Sequence, residues 1–270
     1  MQEIPKTRQK ARTLLRMSNG YRIVAATGLD QGDRPYQQDQ VRLFAHPRDE
    51  GCLLGVVADG MGGRSGGRKA ADQVLLTAQQ LFDRYHVSSD SAGTFLTQVA
   101  REAHIVIRLV AVSAEQEPHS TFAAFVLAPD GQCHWAHSGD SRLYHFRKEK
   151  LVQRTKDHSY VQALVDRGEL AEDRAQNDPR ANILLSCLGA EQEPQISVQS
   201  VGQLGPGDCL MVCSDGLWHY FTEQELGHVL DQLTPREACE FLIQQARKRA
   251  GGRGDNISLI IVKLLPLAGK

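Results

Sequence analysis

Twice in this chain an apolar run ends in a small residue, then Asp-Gly, then resumes with an apolar residue, and this pairing constrains the fold more than any other feature. Leu54-Gly55-Val56-Val57-Ala58 leads into Asp59-Gly60-Met61, and Leu210-Met211-Val212-Cys213-Ser214 leads into Asp215-Gly216-Leu217. Short continuous apolar runs bounded by turn residues read as strands buried on both faces. Each therefore predicts a central β-strand whose exit places a carboxylate at the lip of its sheet. Asp255 stands just before a third such run, Ile257 to Val262. Three acids from distant segments, each at a strand terminus, point to an all-oxygen pocket for hard divalent cations.

With 270 residues, 41% of them apolar, the chain can bury a sizeable core as one large domain or two small ones. A formal net charge of −1 gives no global attraction to nucleic acid or to an anionic membrane. No stretch of eighteen apolar residues is present, so no membrane span is expected. The six cysteines (Cys52, Cys133, Cys187, Cys209, Cys213 and Cys239) lie mostly in apolar strand or helix contexts. They read as free buried thiols, which suits a reducing cytoplasm. The polar N-terminus lacks the apolar core of a signal peptide and carries Lys6, Arg8, Lys10, Arg12 and Arg16. It reads as a solvated extension over residues 1–20, leaving 21–270 as the domain.

Within that domain, strands are expected at Tyr21 to Thr27, Val41 to Phe44 and up to Asp59. A glycine-rich loop, Gly60 to Gly67, then leads into a helix with Ala70, Val74, Leu75, Ala78, Leu81 and Phe82 at helical spacing. A second long helix spans Ala92 to Ser113. A strand meander follows, with Asp130-Gly131 as a hairpin turn. The segment from Ser159 to Leu185 is more polar and holds a short helix stopped by Gly168. Further strands at Ile196 to Val201 and Cys209 to Cys213 precede two helices and the last strand. Strands follow strands far more often than they alternate with helices, which excludes a doubly wound parallel sheet. The pattern predicts antiparallel strands in a sandwich with helices on both outer faces.

The glycine-rich loop offers two decoys. Gly62 to Lys69 approaches a phosphate-cradling P-loop, but Arg68 and Lys69 stand where Lys then Ser or Thr are needed. Gly63-Arg64-Ser65-Gly66-Gly67 matches a nucleophile elbow, with His219 or His228 as paper partners. Ser65, however, lies well past the strand end at Asp59, and the parallel sheet of that class is absent. Any single Asp-Gly is most often a turn. Taken jointly, Asp59, Asp140, Asp215 and Asp255 favour a metal site, because clustered carboxylates repel one another unless cations neutralise them.

The motifs resemble those of the metal-dependent, type 2C protein Ser/Thr phosphatases in their bacterial form. The matching stretches are Gly32-Asp33-Arg34 through Gln38-Asp39, Val57 to Gly63, Gly139-Asp140-Ser141-Arg142 and Asp157-His158-Ser159. Gly207-Asp208 with Cys213 to Leu217, and Gly254-Asp255-Asn256-Ile257, complete the set. The resemblance covers nearly the whole chain from Tyr21 onward and implies an α+β, four-layer αββα sandwich with a flap insert at about 159–185.

By position, the resemblance assigns Asp59 as a bridge between two ions, with the Gly60 carbonyl on one of them. Asp215 and Asp255 complete the other, and Asp140 with Asp215 holds a third, weaker ion. It assigns Arg34 to the substrate phosphate, a task its planar fork suits, and Asp39 to orienting water at the metal. Two ions about 3.5–4 Å apart would lower the pKa of a shared water, so that a bridging hydroxide attacks phosphorus in line. Oxygen ligands favour Mn²⁺ or Mg²⁺ over Zn²⁺. The implied partners are phosphorylated proteins, with a Ser/Thr protein kinase as counterpart, and neither nucleic acid nor a membrane span.

Three positions depart from the family pattern. Gln38 stands where a Glu is usual, Met61 where some members carry a His acid, and His219 where another Asp often helps to hold the third ion. Gln38 and His219 keep open an alternative, a phosphoprotein-binding pseudophosphatase with weakened metal sites, and a serine hydrolase is a distant third. His137 and His158, beside the motifs, read as hydrogen-bonded structural residues.

Overall fold

The computed structural model describes residues 9–18, 20–114 and 117–267. In chain order it contains β1 (Gln9–Ser18), β2 (Tyr21–Asp30), β3 (Gln40–Ala45), β4 (Leu53–Ala58) and the two-residue β5 (Gly60–Met61). Helices α1 (Gly63–Phe82) and α2 (Ala92–Ala114) come next, followed by β6 (His119–Ser120), β7 (Phe122–Leu127), β8 (Gln132–Ser138), β9 (Arg142–Arg147) and β10 (Lys150–Arg154). The short helices α3 (Tyr160–Asp166) and α4 (Glu172–Ala175) precede β11 (Ser197–Gln203) and β12 (Asp208–Cys213). The chain then forms α5 (Asp215–Trp218), α6 (Glu223–Gln232), α7 (Pro235–Ala250) and β13 (Ile257–Pro266).

Two antiparallel sheets stack face to face. One has the order β1-β2-β13-β12-β9-β10 and the other β11-β8-β7-β4-β3. The alternation of strand side chains explains why β4 is apolar throughout. Leu53 and Val57 face the space between the sheets with Ile23, Phe125, Trp135 and Ile260. Leu54, Val56 and Ala58 face outward onto Val74, Ala78, Leu96 and Val99 of α1 and α2. β12 repeats the pattern, with Leu210 and Val212 inward and Met211 and Cys213 toward Leu226, Leu242 and Ala246 of α6 and α7. The layers are therefore αββα, as the resemblance implied.

Helix ends follow local chemistry. Thr222 with Glu225 and Thr234 with Glu237 form capping boxes on α6 and α7, and Gly251 closes α7 at φ 59°. The hairpin at Asp130-Gly131 is present, with Gly131 at φ 91°.

The structure departs from the sequence reading at three places. Gln9–Ser18, expected in a solvated extension, pairs with β2 from Ser18↔Tyr21 to Gln9↔Leu29. This covers an edge that would otherwise expose unpaired amides and carbonyls; residues 1–8 lie outside the described part. Helix α1 begins at Gly63, so most of the expected glycine-rich loop is its first turn. The helix approaches β5 so closely that a Cβ on Gly67 would stand 2.5 Å from the Gly60 oxygen, and one on Gly60 2.1 Å from the Gly67 oxygen. Finally, Asp215 opens the one-turn helix α5 instead of ending a strand.

Candidate active site

Strand register brings the acids together. Gln40 pairs with Ala58, so Asp39 and Asp59 are the next residues beyond the last pair of β3 and β4. Ile257 pairs with Asp30, which sets Asn256 beside Gln31. Cys213 pairs with Leu259 on one side and with Arg142 on the other, so Asp215, Asp255 and Asp140 emerge at the same end of the sheet.

Each acid is held by its own neighbours. Thr121 brackets Asp59: the Asp59 amide donates to Thr121 Oγ1 at 2.9 Å, and the Thr121 amide returns a bond to the Asp59 carbonyl. Ser141 shares a 2.7 Å hydrogen bond with the same hydroxyl. Asp39, 1% exposed, accepts from Ser214 Oγ at 2.7 Å. Trp218 Nε1 donates to the Asp140 carbonyl at 2.9 Å, and the Arg142 guanidinium lies 3.5 Å above the Trp218 ring while it grips Asp157 with two 2.8 Å bonds. Arg34 donates to Asp255 Oδ2 at 2.5 Å.

The electrostatics are those of a site short of positive charge. Burial, then the charges of Asp39, Asp215, Asp140 and Asp255, raise Asp59 well above the ordinary carboxylate value. Burial and Asp215 do the same to Asp140. Burial lifts Asp39 to about 7 against hydrogen bonds from Ser214 and Ser258, and burial with Asp255 lifts Asp215 to about 6. Five carboxylates in one pocket are thus mutually unfavourable.

Two buried oxygens, Asp39 Oδ1 and Asp215 Oδ1, have no hydrogen-bond partner among the described residues. Orphaned carboxylate oxygens in an all-oxygen donor set fit a hard divalent cation. Among the described residues, no group of three or more His, Cys, Asp or Glu side chains could hold an ion unaided. Arg34 occupies Asp255, and a hard ion here would complete its shell with main-chain oxygen and water.

All seven sequence-predicted positions (Arg34, Asp39, Asp59, Gly60, Asp140, Asp215 and Asp255) therefore fall in one region. Gln38 lies against α1, its Nε2 2.6 Å from the place a Cβ on Gly67 would take. His219 follows α5, its pKa lowered by burial and by the charge of Arg142. His137 and His158 stack at 4.4 Å; His137 bonds the Lys156 carbonyl and His158 bonds Ser197, consistent with structural roles. The reading of residues missed Ser214, Asn256, Thr121, Trp218 and the Arg142–Asp157 pair. Ser214, Asn256, Arg142 and Asp157 fall within the motif stretches without a role assigned to them there, whereas Thr121 and Trp218 lie outside those stretches.

The sequence profile of protein phosphatase 2C matches residues 32–248. The chain is 30% identical over 242 residues to a serine/threonine phosphatase stp of Listeria monocytogenes, covering 84% of this chain and 94% of that protein. It superposes on the serine/threonine phosphatase PstP/Ppp of Mycobacterium tuberculosis with a TM-score of 0.78 at 26% identity, covering 93% of this chain and all of that one. The catalytic domain of a serine threonine protein phosphatase PstP in complex with two manganese ions matches with a TM-score of 0.76 at 27% identity, covering 90% and 98%.

Proposed function

The chain belongs to the protein phosphatase 2C family, and on that footing we infer that it is a metal-dependent protein serine/threonine phosphatase. The observation that carries the reading is the convergence of five carboxylates with two orphaned buried oxygens beneath an arginine.

In this reading Asp59, the Gly60 carbonyl, Asp215 and Asp255 would hold two core ions, and Asp140 with Asp215 would serve a third, weaker site. Mn²⁺ or Mg²⁺ bound here supplies positive charge that neutralises the phosphate and lets water act as hydroxide near neutral pH. Arg34 swings from Asp255 to the phosphate oxygens, presenting its planar fork to a dianion. Asp39, held by Ser214, accepts a hydrogen bond from the attacking water and fixes its direction toward phosphorus. The Ser or Thr alkoxide leaves in line, without a phosphoenzyme, and takes its proton from solvent.

The substrates are phosphorylated proteins, with a Ser/Thr protein kinase as the natural counterpart. No described helix is long and apolar enough to cross a membrane. The described cysteines are free, and a reducing cytoplasm is the setting proposed for such thiols. The catalytic domain then runs from β1, the edge strand of its larger sheet, onward, with residues 159–185 as its flap. Arg154 ties that segment down, bonding Glu172 on α4 and Glu223 on α6. The flap would select among phosphoproteins.

Hydrolysis of a small aryl phosphate with Mn²⁺, with EDTA and by Asp215→Ala tests the assignment. Turnover should require Mn²⁺ and vanish in the variant; metal-independent turnover, or turnover indifferent to Asp215→Ala, overturns it.

A further inference from the structure

Asn256 follows Asp255 and is 5% exposed. Its side chain makes three hydrogen bonds, all to main-chain groups of a single loop. Nδ2 donates to the Gln31 carbonyl at 2.8 Å and to the Tyr36 carbonyl at 3.0 Å, and Oδ1 accepts from the Gln38 amide at 2.7 Å. The loop so gathered, between β2 and β3, carries Arg34. A second tie lies next to the arginine: the Asp33 amide donates to the Gly254 carbonyl at 2.9 Å, and the Gly254 amide to Asp33 Oδ2 at 2.8 Å. The segment Gly254 to Asn256 and the loop from Gln31 to Gln38 are thus laced together on both sides of the Arg34–Asp255 contact.

Arg34 is the exposed member, its side chain 59% accessible, whereas the main chain on either side of it is tied down. A side-chain amide that offers two donors and one acceptor to three main-chain groups matches its own bonding capacity to the loop. Leu, Ala or Ser at this position could not satisfy the same groups, and buried main-chain groups without partners are costly.

We propose that Asn256 is a positioning residue that holds the Gln31–Gln38 loop so that the Arg34 guanidinium reaches the substrate phosphate. This rests on the phosphatase reading above. Loss of the amide lets the loop drift, and a misplacement of an ångström or so is enough to weaken a bidentate contact to phosphate by an order of magnitude or more.

The test is a double-mutant cycle of Asn256→Ala and Arg34→Ala, read by KM and kcat on a small aryl phosphate and by calorimetric binding of inorganic phosphate in Mn²⁺. Calorimetric Mn²⁺ affinity is measured on every variant. Asn256→Ala should raise KM and weaken phosphate binding roughly tenfold, with Mn²⁺ affinity within about twofold of the parent. In the Arg34→Ala background the same substitution should add little, because the group it positions is gone.

Additive losses overturn the proposal, as does a primary loss of Mn²⁺ affinity, which would place Asn256 with Asp255 instead. If Asn256→Ala does not fold, Asn256→Asp takes its place in the cycle; it keeps the acceptor for Gln38 and removes both donors. Failure of both variants to fold assigns Asn256 to stability and also overturns the proposal. A parent enzyme without turnover would sink the phosphatase reading, whereas a turning-over parent with an additive cycle would sink only this one.

Discussion

Ser214 donates its hydroxyl to Asp39 at 2.7 Å, joining residues 175 positions apart at the bottom of the acid pocket. The same oxygen accepts from the Ser258 amide at 3.0 Å and lies 3.1 Å from the Ser258 hydroxyl. One small side chain therefore locks the ends of β12 and β13 together and aims a buried carboxylate.

Ser214→Ala should destabilise the metal-free protein by about 1–3 kcal/mol, because it strips a buried carboxylate and a buried amide of their partner at once. Urea unfolding in EDTA measures the loss. A cost near zero would mean that Asp39 does not depend on this hydroxyl.

Asp215→Ala should abolish turnover and weaken Mn²⁺ binding, yet stabilise the metal-free fold near neutral pH by up to about 3 kcal/mol. Burial and the charge of Asp255 hold this carboxyl at about 6, so at pH 7 its ionised form opposes folding. Thermal melts in EDTA decide it. A variant less stable than the parent would show that packing by Asp215 outweighs its repulsion.

The pH dependence carries a definite sign. Asp39 moves from an ordinary 3.8 to about 7 on folding, so between those values the folded state binds more protons and stability falls as pH rises. Buried imidazoles act in the opposite sense: burial and His137 hold His158 at about 4, so it favours folding increasingly up to about 6.5. The comparison of parent with Asp39→Asn in EDTA cancels the histidines. Asp39→Asn should gain stability relative to the parent as pH rises from 4 to 7, and a flat difference would refute the burial of a charged Asp39.

Gly216→Ala should cost roughly 1–3 kcal/mol and perturb Mn²⁺ binding, since the new Cβ would stand 2.0 Å from the Asn256 carbonyl. That contact lies between the α5 turn, which carries Asp215, and the segment that carries Asp255. Denaturant midpoints and Mn²⁺ calorimetry on the variant check both effects.

Trp218 has two separable duties. Trp218→Phe keeps a ring beneath Arg142 but loses the bond to the Asp140 carbonyl, about 1 kcal/mol. Trp218→Ala also loses the 3.5 Å cation–π contact, worth up to about 2 kcal/mol more where desolvated. Urea unfolding of the two variants should rank them in that order.

Much of the layout was legible in the chain because it is written in local periodicity. β4 and β12 announce themselves as strands covered on both faces; Asp59 follows the end of β4 as expected, and Asp140 lies in the turn between β8 and β9. Helices α2, α6 and α7 lie close to their apolar stripes. The glycine-rich stretch was misread as a loop because glycine signals a turn, whereas Gly67 is needed inside α1 for its close approach to Gly60. The pairing of Gln9–Ser18 with β2 escaped because a polar, basic segment gives no apolar alternation, while an open sheet edge recruits it through main-chain bonds.

The sequence alone pointed to carboxylates that the fold then gathers, since a burial pattern that ends at Asp-Gly, as at Asp59 and Asp215, is local and repeats. Only the tertiary structure decided how they are held. Strand register sets Asp39 opposite Asp59 and Asn256 beside Gln31, and it brings Ser214 onto Asp39. The partners lie up to 225 residues apart, as in the Asn256–Gln31 bond, and no spacing rule links such positions. The acids could be found before folding because burying charge is costly at any site; the groups that aim them appear only when two sheets close on one another.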